Sequence, residues 1–297
     1  MEYIPAKTIV IRTKSTSWFG TDYNMNIYKG CCHGCIYCDS RSECYHVDDF
    51  DRVRAKENAL EIIRNDLRRK VLPGVVGTGS MSDPYNPFEK ELQLTRHALE
   101  LISAYGFGAA VYTKSDLIMR DIDVLQEIRS FAPVTANITI TTADDDLAAR
   151  LEPRAPSPSR RFQAVNALSK AGIFCGILLM PVLPFLEDGG ENILAIVRRA
   201  KECGARFIYP FFGLTMRQNQ REWLYQKLEE LFPDGGLQEK YRSRYGNAYR
   251  CFCPKAKELY QLFCAECDRL GLLYNMRDIV GAYKMGYGDS QLSLFSQ

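Results

Sequence analysis

Apolar positions along the chain follow two alternating periods. Short β-branched or aromatic runs at residues 23–28, 75–79, 107–113, 134–141, 173–180 and 206–211 read as six strands. Between them, residues 52–71, 89–105, 120–131, 159–171 and 190–203 repeat apolar residues at helical spacing; Leu92, Leu99 and Ile102 share one face of the second stretch. Such alternation implies parallel βα units, which form either an open doubly wound sheet or a barrel. In both architectures the loops at the strand C-termini hold the functional site. Polar, glycine-bearing and cysteine-bearing segments follow the strand ends here: a cysteine loop after the first, Gly79-Ser80-Met81-Ser82-Asp83 after the second, Thr113-Lys114-Ser115 after the third. They are expected to converge on one face.

Beyond about residue 215 the pattern becomes helical, with residues 218–232 and 254–270 as the main helices. A polar segment containing Tyr241, Arg244, Tyr245, Gly246 and Tyr249 joins them. The resulting division is an N-terminal extension (1–22), a βα domain (23–215), a helical cap (216–285) and a tail (286–297).

Composition narrows the class without naming a substrate. The chain has 297 residues, 46% apolar and 25% charged, which suits an ordinary globular protein with one large domain. Its formal net charge of +2 neither demands nor excludes a nucleic-acid partner. The longest apolar stretch, residues 173–186, is broken by Gly176, Pro181 and Pro184 and is too short to span a bilayer, so no membrane segment is expected. Nor does the N-terminus read as a secretory signal. The eleven cysteines are therefore read as cytoplasmic thiols available to a metal, not as a disulfide framework.

Three of those thiols stand out. In Tyr28-Lys29-Gly30-Cys31-Cys32-His33-Gly34-Cys35-Ile36-Tyr37-Cys38, the residues Cys31, Cys35 and Cys38 form C-x3-C-x2-C on one loop. Thiolates normally hold a 4Fe-4S cluster four at a time, so three would leave one iron open to a non-protein ligand. The alternatives are a zinc knuckle completed by His33 or Cys44, or merely buried thiols; against zinc, the loop lacks the paired C-x2-C elements usual in structural sites.

This spacing, at the end of a first strand and with an aromatic residue before the last cysteine, resembles the signature of the radical S-adenosylmethionine superfamily. The resemblance implies a partial (β/α)6 barrel with a C-terminal helical extension. It also implies a 4Fe-4S cluster on Cys31, Cys35 and Cys38, and S-adenosyl-L-methionine chelated to the fourth iron. An electron donor such as flavodoxin or ferredoxin would be the partner.

A second group of motifs resembles the spore photoproduct lyase family: Ile138-Thr139-Ile140-Thr141-Thr142, Leu151-Glu152-Pro153-Arg154-Ala155-Pro156-Ser157-Pro158, Arg160-Arg161, Ala171-Gly172-Ile173 and Ser82-Asp83-Pro84-Tyr85. By that resemblance Ser82, Asp83, Lys114 and Thr139 contact S-adenosylmethionine, with Tyr37 beside the cluster. Glu152 and Arg154 fit either a loop-supporting salt bridge or ligand contact. One departure matters: those lyases return hydrogen from a cysteine just before the serine-aspartate pair, and this chain has Ser80 there. A hydroxyl O–H bond is far stronger than a thiol S–H bond, so the standard photoproduct reaction is not expected. Asp39 likewise stands where the lyases carry a tyrosine after the last cluster cysteine.

Outside these motifs, Cys251, Cys253, Cys264 and Cys267 offer a second metal site on paper, although small hydrophobic packing explains them better. The tail residues Gln291, Leu292, Leu294 and Phe295 resemble the short peptide by which bacterial replication and repair proteins dock on the DNA sliding clamp. That resemblance directs the substrate expectation towards modified or damaged DNA. The competing reading is a non-catalytic, metal-stabilised, DNA-associated binding protein recruited by the clamp.

Overall fold

A computed structural model describes residues 1–70 and 72–287. Gln291, Leu292, Leu294 and Phe295 therefore lie outside the described residues.

Six parallel strands form the centre: Tyr23–Met25, Val75–Thr78, Gly108–Thr113, Val134–Thr139, Phe174–Leu179 and Phe207–Pro210, side by side in chain order. Val10–Arg12 adds an antiparallel edge beside the first of them. Sequential order with every crossover in helix is the layout of a βα barrel, and among the described residues no strand pairing closes it. The expected partial barrel is therefore the architecture found. No helix among the described residues is long and apolar enough to cross a membrane.

The crossover helices cover the outside of the sheet with the apolar faces read from the sequence. Helix Leu94–Ala104 buries Ala98, Leu99 and Ile102, and helix Gly190–Glu202 buries Ile193, Ile196, Val197 and Ala200. Fully burying a leucine, isoleucine or valine side chain among these contributes about 1.5–3 kcal/mol. The helix expected over 89–105 is interrupted at Gln93, whose left-handed backbone separates a four-residue turn, Glu89–Leu92, from the main helix. The stretch 52–71 begins as a short strand, Arg54–Lys56, paired with Tyr28–Lys29, before helix Ala59–Arg68 starts. That pairing takes residues from the end of the expected first strand, which stops at Met25.

Inside the barrel the alternation is unusual for a core. Val134, Ala136 and Ile138 belong to the apolar core beneath the helices. Thr135, Asn137 and Thr139, which alternate with them onto the interior face, are all buried. A second interior element comes from the N-terminal segment. Phe19, fully buried, packs against Tyr112, Phe207 and Tyr209, and Trp18 packs beside it. The last helix, Met276–Lys284, fastens this segment: Tyr283 donates a hydrogen bond to the Phe19 carbonyl at 2.6 Å, and Met276 Sδ accepts from the Phe19 amide.

Of the cap, helices Gln220–Leu231 and Ala256–Leu270 fall close to their expected positions. The polar segment between them contains a further helix, Leu237–Tyr245, and a strand, Arg250–Phe252, which pairs with Gly213–Thr215. The four C-terminal cysteines do not assemble. Cys251 packs in a different apolar cluster from Cys253 and Cys267, and no group of three or more histidine, cysteine or acidic side chains among the described residues could hold a single metal ion.

Candidate active site

The first three strand ends and the fourth strand deliver their polar residues to one cavity of about 320 Å³ at the mouth of the barrel. Cys31, Cys35, Cys38, Ser80, Ser82, Asp83, Lys114 and Thr139 all line it, with His33, Trp18 and Tyr112. Gly79 makes the turn into this loop: its backbone is left-handed, φ 101°, and an added Cβ would stand 2.0 Å from the Tyr112 carbonyl oxygen. No side chain fits there.

Around the cavity runs a network that fixes the loops. Asp83 is the clasp of the second and third strand ends. Its carboxylate accepts from the Thr113 hydroxyl at 2.6 Å, the Tyr85 amide at 2.9 Å and the Lys114 amide at 2.7 Å. His33 Nδ1 stands 3.4 Å from the same carboxylate. Burial lowers the His33 pKa, against the pull of Asp83, which keeps the ring neutral. Ser82 donates to the Tyr28 carbonyl at 3.0 Å, tying its loop to the strand that enters the cysteine loop.

Behind the cysteines lies a buried charged cluster. Glu152 accepts from Arg161 and from the Tyr37 hydroxyl, while Arg161 also donates to the carbonyls of Thr139 at 3.0 Å and Pro156 at 2.7 Å. Lys114 Nζ completes the cluster, 3.9 Å from Glu152 and 5.6 Å from the centre of the Tyr37 ring. Burial opposes ionisation of Glu152, but Arg161 and Lys114 outweigh it and hold the carboxyl below its ordinary pKa. Burial likewise pulls on the Lys114 ammonium, and Cys35, once a thiolate, and the Glu152 carboxylate outweigh it, leaving the pKa raised. Tyr37 is buried and sits behind the cavity, not on its lining.

The three thiols respond to burial in the same sense. It pushes Cys31 up to about 12, with Asp83 adding to the effect, and raises Cys35 and Cys38. As free side chains they are protonated, so loading a metal there must release protons. Three soft ligands on one cavity wall, next to an ammonium and several hydroxyls, fit an open cluster and a zwitterionic small molecule.

Two parts of this arrangement carried no clear sequence signal. Glu187, in the loop after the fifth barrel strand, is buried and accepts from Thr141 at 2.6 Å and from the Leu183 amide at 2.9 Å. Burial raises its pKa to about 8. Trp18 precedes the barrel altogether and reaches the cavity through the N-terminal segment.

Fold and site together define a class: a partial parallel barrel that carries a three-cysteine loop after its first strand. The profile of the Radical SAM superfamily matches residues 25–200. The chain belongs to that superfamily, and it is an enzyme whose cofactors are a 4Fe-4S cluster and S-adenosylmethionine. An uncharacterized protein of Mycobacterium tuberculosis (strain ATCC 25618 / H37Rv) is 30% identical over 230 residues, spanning 75% of this chain and 67% of the relative. Another, from Methanocaldococcus jannaschii, is 30% identical over 216 residues, spanning 72% and 79%. Among solved structures, a spore photoproduct lyase mutant with bound AdoMet and dinucleoside spore photoproduct aligns with a TM-score of 0.66 at 15% identity, over 90% of this chain and 79% of that one. The radical S-adenosylmethionine methyltransferase TsrM from Kitasatospora setae, with cobalamin and a 4Fe-4S cluster bound, gives 0.56 at 13% identity, over 87% and 56%. These two likenesses concern the fold.

Proposed function

We propose that this radical SAM enzyme abstracts hydrogen from a nucleic-acid substrate, modified or damaged DNA, by a route other than the standard photoproduct reaction. When bound, the cluster would supply one electron for reductive cleavage of S-adenosylmethionine, with methionine released and radical chemistry made available for hydrogen abstraction. The chain's own residues bind, orient and shield. Cys31, Cys35 and Cys38 would hold the cluster and leave one iron for the cofactor. Lys114 would pair with the methionine carboxylate, Ser82 and Thr139 would hydrogen-bond the polar ends, and Tyr37 would back the cluster through Glu152. Asp83, whose carboxylate already accepts from Thr113, Tyr85 and Lys114 and stands 3.4 Å from His33, would offset the positive charge of the cofactor.

The observation that carries the reading is the shared cavity, where the three cysteines meet Ser82, Asp83, Lys114 and Thr139. Ser80 lines the same cavity. Its strong O–H bond makes it a poor donor to a carbon radical, which argues against return of hydrogen by the lyase route. The DNA assignment rests on the lyase-like fold and on the tail Gln291, Leu292, Leu294 and Phe295, which we take as a sliding-clamp ligand in a cytoplasmic repair setting.

The test is isotopic. DNA deuterated at thymine methyl and ring positions, with and without ultraviolet lesions, is incubated anaerobically with cluster-loaded enzyme, S-adenosylmethionine and reductant. Deuterium recovered in 5′-deoxyadenosine supports a DNA substrate. Unlabelled 5′-deoxyadenosine formed at the same rate with and without DNA would remove it.

A further inference from the structure

The cavity has a second chemical half that the cysteines, Lys114 and Asp83 leave unexplained. Trp18, Tyr112, Leu178 and Met180 line it as well, contributed by the N-terminal segment and the third and fifth barrel strands. Trp18 is half-buried. Phe19 and Tyr209 meet its ring edge to face, with centroids 5.1 and 5.7 Å away, and Tyr112 lies tilted at 6.1 Å. The ring is thus braced by three aromatic neighbours and still exposes surface to the cavity.

Tyr112 is buried, and its side chain forms the cavity wall beside Trp18. The position of Trp18 is also held against backbone preference. Phe19 adopts φ 45°, unfavourable for a bulky residue, and it is followed by Gly20 at φ 60°. Met276 Sδ and the Tyr283 hydroxyl hold the Phe19 amide and carbonyl in that conformation. Trp18 lies outside the matched superfamily segment 25–200.

We propose that Trp18 and Tyr112 form a stacking subsite for an uncharged planar heteroaromatic base. The wall is aromatic and thioether in character and carries no formal charge, so it selects a π-face, not an anion. Two sources share this chemistry: the adenine of the cofactor and a base of the substrate. The inference rests on the radical SAM assignment of the cavity and adds the class of group recognised there.

Calorimetric titration of cluster-loaded protein separates the sources. The ligands are 5′-deoxyadenosine, thymidylyl-thymidine in the presence of saturating S-adenosylmethionine, and methionine as a control without a ring. Stacking on an aromatic side chain is worth about 1–3 kcal/mol per base, so Trp18→Ala should weaken the relevant ligand roughly five- to 150-fold and leave methionine unchanged. Loss for 5′-deoxyadenosine assigns the subsite to the cofactor; loss for the dinucleotide assigns it to the substrate. If Trp18→Ala fails to fold, Trp18→Phe, which keeps a smaller ring on the same brace, should show a lesser loss in the same direction. Equal affinities in wild type and Trp18→Phe, equal loss for methionine, or no binding of either base by wild type would overturn the proposal. Base binding that depends on Trp18 in a protein that never cleaves S-adenosylmethionine would instead keep the subsite and sink the radical reading.

Discussion

Removing Arg161 tests whether the charged cluster behind the cysteines holds the site together. Arg161 is 1% exposed, and it serves Glu152 and the carbonyls of Thr139 and Pro156 at once. In Arg161→Met the Glu152 carboxylate keeps Lys114 at 3.9 Å and the Tyr37 hydroxyl but loses its main counter-charge. Breaking a buried pair from one side costs about 3–5 kcal/mol, chiefly because the other charge is left buried. For a chain of this size that corresponds to a fall in Tm on the order of 10 °C. The assay is urea unfolding of the apo-protein, followed by far-ultraviolet circular dichroism. Because the Glu152 pKa is depressed in the fold, its contribution is present above the unfolded carboxyl pKa and fades as pH falls through the folded value. The gap between wild type and variant should therefore close in acid. The double variant Glu152→Gln/Arg161→Met should recover part of the loss, since the buried carboxylate is gone and the charge that remains, on Lys114, is 18% exposed. A single-variant loss below about 1 kcal/mol, or a double variant no better than the single, would refute the reasoning.

Three further outcomes are expected. Glu187→Gln should flatten the fall in stability between the unfolded carboxyl pKa and about pH 8: with the folded pKa raised to about 8, stability is complete below the unfolded carboxyl pKa and is lost as pH rises through the folded one. Unfolding midpoints across that window check it, and an unchanged slope there counts against a buried neutral Glu187. Gly79→Ala puts a Cβ 2.0 Å from the Tyr112 carbonyl in a left-handed backbone, so a loss of about 3 kcal/mol or more is expected by thermal unfolding, with cluster loading reduced in parallel. Leu294→Ala/Phe295→Ala should abolish binding of the full chain to an immobilised sliding clamp; unchanged binding, or none in wild type, removes the clamp from the account.

The βα order was legible because apolar period and residue type change together at each strand and helix. Boundaries slipped where a local conformation cut across the period, at Gln93 in its left-handed turn and at Arg54–Lys56, recruited into pairing with Tyr28–Lys29. The small strand pair Gly213–Thr215 and Arg250–Phe252 was missed because its partners lie far apart in the chain and each is only three residues long. The strand-end residues that meet in the cavity were singled out from spacing and family resemblance. The residues that support them were harder. Arg161 reads as one of two adjacent basic residues on a helix, and only the fold sends it inward while Arg160 turns out to Asp116. Glu187 carries no periodic or spacing signal, and Trp18 becomes a cavity residue only because helix Met276–Lys284 packs against its segment.

The central claim is that the cavity performs reductive cleavage of S-adenosylmethionine on a cluster held by three cysteines. The direct measurement is chromatographic quantification of 5′-deoxyadenosine after anaerobic reconstitution and dithionite reduction, in wild type and in Cys35→Ala. The account predicts formation of 5′-deoxyadenosine by wild type and none by Cys35→Ala, with the folded content of both verified by circular dichroism. A wild-type protein that takes up a full cluster, binds S-adenosylmethionine and never cleaves it would contradict the account.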